Sequence, residues 1–385
     1  MSHDILIVGG GIGGAVLANL LARGGKRVAV LEKNLVPPPI ARPEILWPHT
    51  VQFLRTLIPE QDEHRWLLAV EGFRFFERGI PIAQMSAKTI QSAGIQPWST
   101  AGQETRRLLL EHAKCEVLRG VEVRGLLKEQ RAVVGVSAHC LADGSEREWH
   151  APWTVGDDGP GSLVRREAAI PLTTQGADLD MLSFGFDWPE DFARGTPHIF
   201  LNPRHAASGI LVCGCIPQPD GRAAGIVGVR PRAFADEATL RGNLAEFAGR
   251  DSRLQQVLGK RVFPRDFTRV QLKFGNCPTY IHPGAALIGD AAHPVTPAGG
   301  QGANLAIADA RCLADSLLRR TDLKDYDHTR RRAAQRSLRL SRGAAWAFSL
   351  PDSLIYPALP IAVRLISRWP SLLRFVLKTP ASAFQ

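Results

Sequence analysis

Asp4-Ile-Leu-Ile-Val-Gly-Gly-Gly-Ile-Gly-Gly-Ala15 decides the fold. Ile5 to Val8 form a short apolar run, partly β-branched, which predicts a strand buried on both faces. Gly9, Gly11 and Gly14 follow at GxGxxG spacing, with Ile12 and Gly13 between the last two. Ala15 to Ala22 has helical composition and breaks at Gly24-Gly25, and Arg27-Val-Ala-Val-Leu-Glu32 reads as a second buried strand. Together they predict a βαβ unit at the start of the chain. In such a unit the first glycine allows a tight turn. The second admits a pyrophosphate close to the backbone, and the third lets the helix pack on the strand. The helix N-terminus offers amide groups and a positive dipole end to the phosphates. Glu32, with Lys33 beside it, closes the second strand where an acid would bind ribose hydroxyls. The context favours a bound nucleotide over a ligand-free glycine turn, but the loop alone does not separate NAD from FAD.

A second stretch narrows this: Leu287-Ile-Gly-Asp-Ala-Ala-His-Pro-Val-Thr-Pro-Ala-Gly-Gly-Gln-Gly-Ala-Asn304. Ala285 to Ile288 reads as a buried strand, so Gly289-Asp290 sits at a strand's C-terminal end, where α/β sheets bind ligands. A carboxylate there accepts hydrogen bonds from a sugar-alcohol chain, or else caps a turn. Pro297, Gly299, Gly300, Gln301, Gly302, Ala303 and Asn304 then give a backbone with little side-chain bulk leading into a helix. Its amides and dipole suit the edge of a flavin ring that carries negative charge when reduced. His293, between Ala292 and Pro294, reads equally as a loop residue bonded to backbone and is not assigned a catalytic role.

The bulk numbers bound the rest. A chain of 385 residues can bury a sizeable core in one large or two intertwined domains. With 47 Lys and Arg against 37 Asp and Glu, the formal charge is +10, and no nucleic-acid module accompanies it. The six cysteines form no CxxC pair, which points away from metal binding and towards free thiols in a reducing cytoplasm. Neither a signal peptide nor an apolar run long enough to span a membrane is apparent. Residues 33 to 50 are Pro-rich, and Glu116 to Cys140 alternates as strands do. The runs Met181–Phe186, His198–Leu201, Gly209–Ile216 and Ala223–Val229 predict an antiparallel sheet inserted into the α/β domain. Helices are expected over Asp236 to Phe247, Ala303 to Arg319 and the arginine-rich stretch from Tyr326 to Trp346.

Three motifs together, Gly9–Gly14 with Glu32, Asp158-Gly159 followed by Arg165, and Gly289-Asp290-Ala-Ala-His-Pro with Pro297 to Asn304, resemble the signatures of the group A flavin-dependent aromatic hydroxylases. These are the para-hydroxybenzoate hydroxylase-like FAD monooxygenases. The resemblance covers residues 1 to about 320. It implies an α/β fold: a Rossmann-like FAD-binding domain (1–170 with 275–325, including short substrate-domain pieces within 45–100), an antiparallel β-sheet substrate domain (171–274) and C-terminal helices (326–385). It also implies that the first motif binds the ADP half of FAD and Asp290 the ribityl chain. Asp158 and Gly159 would serve both FAD and NAD(P)H, and Pro297 would lie near the flavin C4a. Arg42 and Arg106 fall, more loosely, where the family places cofactor-binding arginines. One departure stands out: the family usually shows Gly-Ala-Asp-Gly, where this chain has Gly156-Asp-Asp-Gly159. The extra acid either alters cofactor contacts or is simply exposed.

The implied activity is NAD(P)H- and O2-dependent hydroxylation or epoxidation of an apolar or aromatic small molecule through a flavin C4a-hydroperoxide, in secondary metabolism or aromatic catabolism. The alternatives are a flavoprotein reductase of the same fold that incorporates no oxygen, and a non-catalytic nucleotide-binding protein. Phe184, Phe186, Phe200 and Ile216 either line the substrate pocket or belong to the sheet core. No substrate-activating base is identifiable. The tail from 353 to 378, interrupted by Pro357, Pro360 and Pro370, either packs on the core or lies on an anionic membrane surface, a peripheral contact for an otherwise cytoplasmic protein.

Overall fold

Ile5–Val8 is buried along its whole length and forms β1 of a parallel sheet. The computed structural model describes residues 3–36, 43–202, 208–231, 236–261, 263, 265–349, 352–369 and 371. After β1 come α1 (Ile12–Arg23), β2 (Val28–Glu32), β3 (Glu44–Leu46), α2 (Pro48–Leu54), α3 (Glu63–Trp66), β4 (Leu67–Ala69), β5 (Gly72–Glu77) and β6 (Ile80–Ser86). Next are α4 (Ala87–Ser92), β7 (Trp98–Thr100), α5 (Gly102–Glu111), β8 (Glu116–Arg119), β9 (Val121–Glu129), β10 (Ala132–Cys140), β11 (Glu146–His150), β12 (Trp153–Gly156) and α6 (Leu163–Glu167). The second half holds β13 (Thr174–Asp187), β14 (His198–Leu201), β15 (Ile210–Pro217), β16 (Arg222–Val229), α7 (Glu237–Ala248), α8 (Ser252–Leu258) and β17 (Thr268–Gly275). It ends with β18 (Ile281–His282), β19 (Ala285–Leu287), α9 (Gln301–Arg319), α10 (Leu323–Ser349) and α11 (Asp352–Arg368).

Among the described residues, the first sheet runs β18-β19-β12-β1-β2-β8, parallel apart from β18. Covered by α1, α5 and α9, its strands β1 and β19 are continuous apolar runs, as suits parallel strands buried on both faces. The order puts the ends of β1, β12 and β19 side by side. The glycine loop, the Asp158-Gly159 turn and the Gly289-Asp290 turn therefore emerge next to one another, although more than 270 residues separate the first strand from the last. A meander of β9, β10 and β11 buttresses this sheet, with Val133 N–H donating to the Pro283 carbonyl.

The second sheet runs β17-β13-β16-β15-β14-β5-β6. Its centre is antiparallel, but β5 joins it by pairing parallel with β14, so residues 72–86 complete a sheet whose other strands lie between 174 and 275. One face is covered by α7 and α8. Phe76, Leu182, Phe184, Phe200, Cys213, Cys215 and Val227 pack there against Leu240, Leu244, Phe247 and Leu254. Asp236 caps α7 by accepting from Thr239 N–H at 2.7 Å.

The C-terminal segment packs on this frame. α10 lies against α9 and β13, and α11 lies against β6, with Ile366 joining the cluster of Trp47, Met85 and Ile90. α11 runs through Pro357 and Pro360, where the sequence predicts interruptions. Each proline forgoes one helical hydrogen bond without ending the helix. Among the described residues, no helix is long and apolar enough to cross a membrane.

Candidate cofactor site

The glycine loop has the geometry its spacing predicts. Gly9 adopts φ +100°, and a Cβ there would overlap the Asp157 carbonyl. A Cβ on Gly14 would stand 2.6 Å from the Gly9 carbonyl oxygen, so α1 approaches β1 only because that residue is glycine. Gly11 is the N-cap of α1, and Ile12 and Gly13 occupy the first turn, where helix amides lack internal partners.

Glu32 closes β2 and turns back to the loop. Its carboxylate accepts from Gly10 N–H at 3.0 Å, and from the backbone and side-chain amides of Asn34 at 2.8 and 2.7 Å. It lines a small cavity of about 90 Å³ with Gly10, Asn34, Arg106, Arg107 and Arg119. An acid ringed by arginines at the end of a parallel sheet suits an adenosine ribose and its phosphates. Arg106 is therefore brought to the site. Lys33 is exposed and does not line this cavity; Asn34 does. Arg119 was missed, although its place at the C-terminal end of a parallel strand was a usable signal. Arg42 lies outside the described residues.

Asp158 accepts from Leu163 N–H at 2.6 Å and Val164 N–H at 3.1 Å, capping α6 through one oxygen. Its other oxygen, Oδ1, is buried without a partner among the described residues. Gly159 takes φ +78° to make the turn. Arg165, buried in α6, donates to the Ala291 carbonyl at 2.8 Å and the Pro160 carbonyl at 2.9 Å. It thus ties the Asp158-Gly159 turn to the Gly289–Ala291 turn.

That second turn is anchored from beneath. Gly289, at φ +58°, donates its N–H to Asp309 Oδ2 at 3.0 Å. Asp309 is fully buried in α9 and is also bonded by His293 Nε2 at 2.5 Å and Arg330 Nε at 2.6 Å. Burial works against its charge, but His293 and Arg330 outweigh it and hold the carboxyl at about 2. His293 is therefore an internal anchor, packed on Tyr280, and not an acid–base residue. Asp290 projects from this turn and is half-buried.

The 297–304 segment is shaped by its own side chains. Gly299 and Gly300 both adopt positive φ, +71° and +63°, and a Cβ on Gly300 would press on Ile45 at 3.1 Å. The Gly299 carbonyl accepts from Trp47 Nε1 and from Gln301 Nε2. Asn304 bonds Trp47 N–H, the Ile45 carbonyl and the Gly300 carbonyl. Gln301 and Asn304 thus hold the loop and present no free amide group to a ligand. What the loop offers is backbone: the first-turn amides of Gln301, Gly302 and Ala303 at the N-terminus of a 19-residue helix. Pro297 is exposed at its start.

The donor set fits FAD. An acid and arginines receive the adenosine end, two glycine-bounded helix N-termini receive negative charge, and Asp290 stands between them. Comparison with known proteins agrees. A family model described as "FAD binding domain" matches residues 2–341. The chain belongs to the para-hydroxybenzoate hydroxylase-like FAD monooxygenases. It is 31% identical over 339 residues to 6-methylpretetramide 4-monooxygenase of Streptomyces rimosus, covering 84% of this chain and 77% of that protein. It is 28% identical over 331 residues to the rifampicin monooxygenase of Streptomyces venezuelae, covering 83% of this chain and 64%, under two thirds, of that protein. The crystal structure of p-nitrophenol 4-monooxygenase from Pseudomonas putida DLL-E4 superposes with a TM-score of 0.78 at 18% identity, covering 99% of this chain and 98% of that one, and so shares its fold. As a member of this family, the enzyme is a flavin monooxygenase that works with FAD, NAD(P)H and O2.

The second sheet divides in a way the sequence leaves open. Phe184, Phe186 and Phe200 pack on the face covered by α7 and α8, where Arg261 lies over the Phe184 ring at 4.6 Å; they are core, not pocket. Ile216 alternates with buried Cys215 and lies on the opposite face. That face carries Phe75, Ile199, Gly214, Ile226 and Ser183 in one line across the sheet, with Val212 and Met181 beside them. Phe75, Ile199, Ile226, Val212 and Met181 are only half-buried, whereas Phe76, His198, Phe200, Cys213, Val227 and Leu182, which point to the helix-covered face, are buried. Further along β5, Phe73 packs with Ile45 and Trp47, the residues that hold the Gly299-Gly300 loop. His198, the histidine of this sheet, belongs to the helix-covered face, enclosed by Phe76, Trp188, Phe192 and Phe200. Burial, with Arg74 and Arg253 nearby, pushes it down to about 4, so it stays neutral within the core.

Proposed function

We propose that this enzyme hydroxylates an apolar aromatic small molecule, of the polyketide or phenolic kind, bound between the half-buried sheet face and the Pro297–Gly300 loop. The observation that carries this reading is the contrast between the two faces. A sheet whose second face is apolar yet incompletely covered, and which reaches the flavin loop through Phe73, needs an apolar occupant. Glu32, Arg106 and Arg119 would hold the adenosine end of FAD, the amides of Ile12 and Gly13 its pyrophosphate, and Asp290 its ribityl chain. The Gly299–Ala303 backbone would face the ring. FAD held there supplies hydride acceptance from NAD(P)H and oxygen activation. The chain's part is to orient the substrate on Ile199, Gly214 and Ile226 and to keep water out. The names of the relatives, a pretetramide and a rifampicin monooxygenase, support a fused-ring substrate in secondary metabolism. Substrate-stimulated NAD(P)H oxidation under 18O2 tests this, with one labelled oxygen expected in the product. A product formed with no label would leave a flavoprotein reductase in its place.

Two finer readings belong with it. The described cysteines are all free thiols, which supports a reducing compartment. α11 exposes Ile361, Leu365 and, just beyond its end, Trp369, with Arg364 and Arg368 among them, which supports reversible contact with an anionic membrane surface. Co-sedimentation with anionic but not neutral vesicles would be the expected result, and equal recovery from both would remove the idea.

A further inference from the structure

Asp157 is where this chain departs from the usual Gly-Ala-Asp-Gly turn, and it is not simply exposed. It is half-buried, and its Oδ2 accepts from Gly14 N–H at 2.7 Å, inside the first turn of α1. The same oxygen lies so close over Gly11 that a Cβ there would overlap it, and Oδ1 would stand 3.1 Å from a Cβ on Gly13. On its other side, Oδ1 would be 3.3 Å from a Cβ on Gly289. One carboxyl group therefore sits where the glycine loop, the Asp158-Gly159 turn and the Gly289-Asp290 turn meet. It touches the amide-rich end of α1 that the cofactor's pyrophosphate needs.

We propose that Asp157 is a proton-operated determinant of FAD retention: its carboxyl shares the N-terminus of α1 with the pyrophosphate, and FAD binds the form of the enzyme in which that carboxyl carries a proton. An ionised Asp157 would set a third negative charge beside two phosphate charges in a desolvated corner. A protonated one offers an O–H to a phosphate oxygen while its other oxygen keeps the Gly14 bond.

The surroundings favour the proton. Burial raises the Asp157 carboxyl well above the ordinary aspartate range, against the opposing pull of the Gly14 amide, and Asp158 and Asp290 raise it further. Arg106 from α5 is the cation that opposes them. Glu32 of β2 is turned to Gly10, and α9 brings Ala306 against Gly13 and Gly289. The Asp309 carboxylate lies beyond Gly289, already engaged with His293 and Arg330. Adding the pyrophosphate raises the carboxyl again, so binding takes up a proton. FAD affinity is then constant at low pH and falls as pH rises above the value at which free Asp157 ionises.

The test is FAD binding to apoprotein prepared from the full chain, by calorimetry and flavin fluorescence from pH 6 to 9, for wild type, Asp157→Asn and Asp157→Ala. The Asn variant keeps an oxygen for Gly14 N–H but cannot ionise. Wild-type Kd should rise by up to about tenfold per pH unit over part of this range, while both variants change less than about threefold. Calorimetry in buffers of different ionisation enthalpy should show close to one proton taken up by wild type above neutral pH, and less in either variant. Above the pH at which wild-type affinity begins to fall, the Asn variant should bind FAD more tightly than wild type, by a margin that grows up to about tenfold per pH unit. Parallel pH dependence in all three proteins would overturn the proposal. So would weaker binding by the Asn variant at every pH, or failure of both variants to fold, since Asp157 would then be a structural support for the loop.

Discussion

Asp309→Ala should destabilise the protein far more than an ordinary single substitution, and the reason lies in what it leaves behind. Asp309 is fully buried and receives Gly289 N–H, His293 and Arg330, of which Arg330 is 3% exposed. Removing one partner of a buried ion pair strands the other, at a cost of about 3–5 kcal/mol. For a chain of 385 residues, that corresponds to a melting temperature roughly 4–6 °C lower. The Gly289-Asp290 turn also loses its anchor, so FAD affinity falls in the same variant. The pH dependence has a definite sign. The Asp309 carboxyl is held at about 2, below its value in the unfolded chain near 4, so its contribution is complete above about pH 4 and disappears as pH falls towards 2. Differential scanning calorimetry of wild type and Asp309→Asn from pH 7 to 2.5 should show the gap between them narrowing only at the acid end. The double variant Asp309→Ala/Arg330→Met should recover part of the loss, because the stranded cation goes with its partner. A melting temperature within 2 °C of wild type for Asp309→Ala, or no recovery in the double variant, would refute the account.

Gly14→Ala places a methyl group 2.6 Å from the Gly9 carbonyl, strain of about 1–3 kcal/mol, so FAD affinity should fall roughly 10- to 100-fold, read by fluorescence titration. Glu32→Ala removes the carboxylate that Gly10 and Asn34 donate to, and the purified protein should carry less than about a tenth of its flavin by absorbance. The two faces of the substrate sheet can be told apart by a pair of variants. Phe184→Ala should cost about 3–5 kcal/mol of stability and leave KM nearly unchanged. Ile226→Trp should raise KM about tenfold or more with little change in melting temperature. If Phe184→Ala shifts KM and Ile226→Trp does not, the pocket lies on the other face.

The cofactor loops were legible because they are limited by backbone. Gly9 is demanded by dihedral and contact together, Gly14 by its contact with the Gly9 carbonyl and Gly289 by its positive φ, so residue type reports conformation directly. The face of a strand is less legible. Alternation in Met181–Phe186 says that two faces exist, but which one α7 and α8 cover is set by elements 50 residues further on. The pairing of β5 with β14 could not be read either, because parallel pairing leaves no mark on two short strands more than 120 residues apart. Gln301 and Asn304 were read as cofactor ligands because they lie in a motif. Their amides in fact hold Gly299, Ile45 and Trp47 in place, a role visible only once β3 is seen beside the loop. The same holds for Asp309, whose partners His293 and Arg330 come from a loop and a different helix.

The parallel seam between β5 and β14 bears on how the chain reaches its native state during synthesis. The β5–β6 hairpin of residues 72–86 has no strand beside it until 198–201 leave the ribosome, and β12 awaits β19 at 285–287. Neither sheet can close on an N-terminal fragment, so nascent chains of 100 to 280 residues hold unpaired strand edges and uncovered apolar faces for many seconds. The two domains mature together, late, and close to the moment when the FAD site itself is first complete. FAD, which binds only the completed site, therefore adds its binding free energy to the stability of the chain at the last step of folding.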